Sequence, residues 1–264
     1  MALPRFAWQR LFQQRQVISL ITASLIWPLL CAIFVYISNH ADLLKGFGGG
    51  FQNFLAVKAD FFLTFMNTQA IFIVFLAAIT GPGLIAPDLA NNALPLYFSR
   101  PLSRLDYATA RLLTLVGVLS LISWIPGLLL FGMQAGMAEN TWLKSNWKIG
   151  FAIVAGFFVW ILIVSLVALS ASAYARLKVV AGGIVLGFFF ILSGMATMID
   201  QVFRSDWGEA ISPRWTMRRI WYWMLGIPAP VGPGVKTCLF SLAIVIILLV
   251  LVLKRKLRPV EVVS

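Results

Sequence analysis

"IGFAIVAGFFVWILIVSLVALSASAY", residues 149–174, runs for 26 residues without an Asp, Glu, Lys, Arg or His. As a helix it would rise about 39 Å, more than the ~30 Å hydrocarbon core of a bilayer. It reads as a transmembrane span. Five further runs, at 17–38, 63–86, 112–131, 179–199 and 237–253, have the same character. The expected fold is therefore an all-α integral membrane protein with six transmembrane helices, forming one transmembrane domain over residues 1–264. A β-barrel would instead alternate polar and apolar residues over ~10-residue strands. Composition agrees, since 61% of the residues are hydrophobic and 11% charged, and the mean hydropathy is +0.92. That leaves too little polar surface to cover a soluble domain of this length.

Arg5, Arg10 and Arg15 precede the first run, but its apolar core is too long for a signal peptide and no small-residue cleavage site follows. With six spans both termini share one side. That side would carry twelve Lys and Arg against nine on the other, and five of the nine fall in the long 200–236 connection. Setting that connection aside leaves twelve against four, which puts both termini in the cytoplasm of a cell-membrane protein. The net charge of +12 is thus read as orientation, not as nucleic-acid binding. Cys31 and Cys238 lie in or beside spans, with no metal-like spacing and no evident pairing, and read as small apolar fillers.

Residues 1–16 read as an amphipathic helix on the cytoplasmic surface. Leu3, Ala7, Trp8, Leu11 and Phe12 share one arc, with Arg5, Gln9, Gln13 and Gln16 opposite. An ordinary juxtamembrane segment with an aromatic anchor fits the same residues. "GFGGGF" (46–51) lacks the Lys-Ser/Thr and helix start of a phosphate loop. His40, the single histidine, has no nearby metal-binding companion. Gly183 with Gly187, and Ala152 with Gly156, have the small-xxx-small spacing that lets membrane helices approach closely. The 200–236 connection is external and rich in aromatics, including Trp215, Trp221 and Trp223. Ser212-Pro213 can open a short helix there, lying on the outer leaflet or dipping into it. It reads either as an interfacial anchor or as a gate over a substrate exit.

By these boundaries the span centres hold no ionisable residue, the usual mark of an ion or proton relay. No base, acid pair or metal cluster for hydrolysis is visible, and there is no G-x-x-x-x-G-K-[ST] loop. The chain is expected to have no catalytic, metal or cofactor site of its own.

The cytoplasmic connection 87–111 is the most punctuated part of the chain. Pro87 and Asp88 suit a helix first turn, and Pro95 ends that piece. "SRPLSRLDY" (99–107) restarts a helix, with Ser103 and Asp106 at capping-box spacing. Leu94, Leu96, Tyr97 and Phe98 stand beside Arg100 and Arg104, a composition suited to docking into a partner's groove. A charged hairpin obeying the positive-inside rule is the plainer reading.

These residues resemble the membrane-spanning subunits of type-2 ATP-binding-cassette (ABC) transporters. That family shows an acidic residue after span two, an apolar segment, Ser-Arg-Pro-apolar-Ser-Arg, a Tyr and then Gly-Lys. Here those positions are Asp88, "LPLYF" (94–98), "SRPLSR" (99–104), Tyr107 and Ala110-Arg111, and the tail "KRKLRPVEVVS" is similar to the family's basic endings. Asp for Glu, Asn92-Ala93 for Gly-Thr and Ala110-Arg111 for Gly-Lys are departures. The resemblance implies the permease subunit of an exporter, paired with a second permease in a homo- or heterodimer. Each would dock on a separate ATPase subunit, two copies per complex, which binds the ATP and Mg. The 87–111 segment would be its coupling helix, with Asp88, Leu94, Leu96, Tyr97, Phe98, Arg100, Arg104 and Tyr107 toward the ATPase. The N-terminal segment with Arg5, Trp8, Leu11 and Phe12 would be a connecting helix stacked beside it. Two alternatives stand: a non-transporting scaffold or sensor that recruits a cytoplasmic partner, and an ion-coupled carrier.

Overall fold

The computed structural model describes residues 8–9, 11–40, 56–90, 104–138, 141–175 and 177–256, with backbone alone at 87–90, 104 and 105. Among the described residues the chain is all-α, without a strand. The elements are α1 (Arg15–Asn39), α2 (Ala59–Thr80), α3 (Pro82–Ala90), α4 (Arg104–Leu121), α5 (Trp124–Met137), α6 (Trp142–Tyr174), α7 (Lys178–Phe203), a 3-10 turn (Gly208–Ala210), α8 (Pro213–Leu225) and α9 (Val235–Lys256). Six helical stretches are long and apolar enough to cross a membrane. They are α1, α2 running into α3, α4 running into α5, α6, α7 and α9.

The six do not share the interior equally. The second and fourth have 72% of their apolar window buried within the chain, against 28% for α7, 22% for α1 and 11% for α9. Helix α6 is the axis, packing on α2, α3, α4, α5, α7, α8 and α9. Around it sit Trp160 against Phe189 (centroids 5.2 Å apart), Trp160 against Trp221 (6.2 Å) and Phe65 edge-on to Phe157 (6.1 Å). Such tilted and edge-on pairs are the favoured aromatic geometries. The weakly buried helices turn Ile26, Leu29 and Ile33 of α1, and Phe240, Ile247 and Leu251 of α9, outward. Apolar faces of that size are tolerated where lipid or another chain covers them.

Of the glycines picked out by the small-residue spacing, only Gly156 lies at a close helix approach. Gly183 and Gly187 meet nothing from other helices, while a Cβ on Gly182 would lie 2.7 Å from the Ala78 carbonyl oxygen. Gly182 is thus where α7 rides against α2. Gly156, in the Ala152–Gly156 pair, makes room for a side chain instead of a backbone: a Cβ there would reach 2.7 Å from the Trp221 indole nitrogen.

Two prolines interrupt the ladders of the outer spans. Pro28 sits inside α1. Pro126 is the third residue of α5, and the chain breaks just before it at Ser123 (φ −114°, ψ −101°). A proline lacks the N–H that would bond the carbonyl four residues back, so the carbonyls of Ser24 and Ile122 lose their usual donors.

Candidate functional site

Several residues expected to form the coupling surface, Leu94, Leu96, Tyr97, Phe98 and Arg100, lie outside the described residues, as do Arg5, Ser103 and the side chains of Asp88 and Arg104. What is described are the two ends of the connection. On the near end, Asp88 belongs to α3, whose backbone is tied to α6 by one hydroxyl. Ser172 Oγ accepts from the Ala86 N–H (2.9 Å) and donates to the Pro82 carbonyl (3.3 Å). Those are the two groups that an i to i−4 helix bond would join, so a side chain from α6 is inserted into the ladder of α3. Gly81, one residue earlier, allows Ala168 to approach: a Cβ there would lie 2.6 Å from that of Ala168.

On the far end, α4 begins at Arg104 with Asp106 in its first turn. Tyr107 is 2% exposed, with the Arg111 guanidinium 5.2 Å from its ring centre. The ring is enclosed by this chain and faces the bundle. Two turns on, Trp8 lies against α4, and its indole N–H donates to the Thr114 carbonyl (3.0 Å). The ring occupies the space over Gly117, where a Cβ would collide with it. Leu11 is buried, while Phe12 stays exposed and meets Trp8 edge-on at 6.1 Å. The N-terminal segment is therefore fastened to the third span through Trp8.

Residues that carry the most polar packing were not singled out by sequence. Gln69 of α2 is fully buried. Its amide nitrogen donates to the Ser24 carbonyl (3.2 Å) and to the Ile122 carbonyl. These are the two carbonyls that Pro28 and Pro126 leave without donors, so one amide group with two hydrogens serves both. The signal lay in the sequence as a lone glutamine in an apolar run, flanked in other runs by two prolines.

The second such centre lies in 200–236. Gly208 N–H donates to Asp200 Oδ1 (2.6 Å), Ser212 Oγ meets Ser193 Oγ (3.0 Å), and Ser241 Oγ donates to the Ala210 carbonyl (2.6 Å). Helix α8 then packs on α2, α6, α7 and α9 and ends at Gly226 (φ +69°), whose N–H bonds Trp223 while Ile227 N–H bonds Tyr222. This is the glycine-terminated helix end in which a left-handed residue spares a Cβ clash. Arg219, 6% exposed, donates from Nε (2.9 Å) and Nη2 (2.7 Å) to Glu209 Oε2, from Nη1 to the Pro230 carbonyl (2.6 Å) and from Nη2 to Val231 (2.9 Å). Gly232 is required beside it, because a Cβ there would overlap Nη2.

The three tryptophans expected to act alike therefore differ. Trp221 is 2% exposed and part of the core, Trp223 is 62% exposed, and Trp215 is half-buried, donating to the Ser193 carbonyl at 3.4 Å. An open cavity of about 440 Å³ lies beside Trp215, lined also by Asp200, Arg204, Asp206 and Glu209. Among the described residues no group of three or more His, Cys, Asp or Glu could hold a metal ion. His40 stacks on Tyr36 and donates to its carbonyl (2.9 Å), and Cys31 and Cys238 are free and buried. No protein-family model and no curated protein matches this sequence.

Proposed function

We propose that this chain is the permease subunit of an ABC exporter in a cell membrane, with both termini cytoplasmic. It pairs with a second permease and takes its energy from two copies of a separate ATPase that binds ATP and Mg. The observation that carries this reading is the pattern Asp88, "LPLYFSRPLSR" and Tyr107 between spans two and three. The anchoring of that connection lends it support. A load applied at residues 91–103 would reach α6 through the Ser172 hydroxyl and α4 through its buried Tyr107. Coupling needs a stiff link between two bodies that each have two arrangements, and both ends of this connection are held to the bundle.

The test is co-purification and coupled activity. Detergent-solubilised chain should bring down a protein with its own phosphate loop, and Arg100→Glu with Arg104→Glu should abolish permease-dependent stimulation of that ATPase while leaving insertion intact. Unchanged stimulation would remove the coupling role. Capture of a partner without a phosphate loop would favour the scaffold reading instead. The Arg219–Glu209 pair does not favour an ion-coupled carrier, because the two groups are engaged with each other and Arg219 also donates to two loop carbonyls.

A further inference from the structure

Helix α8 carries two cations that the fold leaves uncompensated. Arg214 and Arg218, four residues apart, both reach one ring: their guanidinium carbons lie 5.8 and 5.2 Å from the centre of Trp215. Arg218 also stands 5.6 Å over Tyr222 and donates to its hydroxyl at 3.2 Å. Its Nε is buried with no partner. Among the described residues neither arginine makes an ion pair. Glu209 lines a small pocket together with Arg218 and Tyr222, but its bonded oxygen is held by Arg219. Asp200 and Asp206 line the 440 Å³ cavity, to which Arg214 and Arg218 do not contribute. Like charges at i and i+4 repel, and burial followed by the charge of Arg218 pulls Arg214 below its ordinary range. An arginine keeps its proton regardless, so the two positive charges persist and favour an anion beside them.

Depth identifies the kind of anion. Trp215 hangs from the carbonyl of Ser193, about 22 Å along α7 from Lys178 at 1.5 Å per residue. With Lys178 at one boundary of a ~30 Å hydrocarbon core, the Trp215 ring would lie within several ångströms of the other boundary, from which long arginine side chains extend toward the headgroups. We infer that Arg214, Arg218 and the Tyr222 hydroxyl bind the headgroup phosphate of an anionic phospholipid, with Trp215 holding the guanidiniums in place. Two planar forks and one hydroxyl match phosphate geometry, and the aromatics suit the headgroup zone. This inference is independent of any transport role.

Native mass spectrometry of the full-length chain, loaded with phosphatidylglycerol or with phosphatidylcholine, tests it. Wild type should hold one more phosphatidylglycerol per chain than R214Q/R218Q, with at least a fivefold preference over phosphatidylcholine that the variant loses. R214K/R218K, which keeps the charges without the forks, should retain a weakened preference. Equal retention by wild type and R214Q/R218Q would overturn the site, and displacement of the lipid by millimolar inorganic phosphate would show a free-anion site instead. Should R214Q/R218Q fail to fold, the wild-type preference is read against sodium chloride. It should fall as salt rises, and a salt-independent preference would overturn the assignment.

Discussion

Gln69 and Arg219 solve the same problem in two chemical currencies. Each is a single donor-rich side chain that reaches backbone carbonyls left without partners near prolines. Gln69 serves Ser24 and Ile122, orphaned by Pro28 and Pro126, while Arg219 serves Pro230 and Val231 in the proline-rich turn before α9. The difference is charge. Gln69 sits in mid-helix of the second span, where an ionised group would be costly, and it is neutral. Arg219 lies in the connecting segment and brings Glu209 to neutralise it. The comparison teaches that the depth of a broken backbone decides which residue can repair it.

The contrast can be broken at its strongest point first. Arg219→Met removes four hydrogen bonds and leaves Glu209 unpaired, and should destabilise the chain by about 3 kcal/mol, since stripping one partner from a buried pair is what costs most. The check is the unfolding midpoint in detergent; a loss no greater than that from Gln69→Leu would mean that charge adds nothing. Gly232→Ala approaches the same end by pushing on Nη2, and should cost about 2 kcal/mol as an overpacking change. Its effect should largely vanish in the Arg219→Met background, and additivity there would show that Gly232 serves another purpose.

Gln69→Leu should cost about 1–2 kcal/mol, two membrane hydrogen bonds at the size usual for them. Pro126→Ala returns an N–H to Ile122, so in that background the loss from Gln69→Leu should fall by about half. An identical loss in both backgrounds would separate the glutamine from the proline. Trp223→Ala, on an exposed residue, should stay within about 0.5 kcal/mol.

The six apolar stretches could be read from sequence because a bilayer demands one long run per crossing, with no help from tertiary contacts. The fate of α8 could not. Trp221 and Trp223 look equivalent by composition, yet two residues correspond to about 200° of turn on a helix, so one enters the core and the other leaves it. Only the packing partners, Gly156 and Phe157 on α6, decide which. The same holds for glycine: Gly183 matched a spacing rule, but Gly182 faces α2. For Gln69, the prolines at 28 and 126 announced which carbonyls would be orphaned, four residues back in each case. That one side chain could reach both is a fact about how three distant segments cross.

The Gln69 junction also bears on how the sequence can change over generations. Positions 28, 69 and 126 belong to three separate spans, yet each is a reason for the others. A lineage that exchanges both prolines frees the glutamine to become leucine, whereas one that exchanges the glutamine first must carry two bare carbonyls until the prolines follow. Descendants of this chain should therefore gain or lose the three residues together, as a single inherited character written in three places.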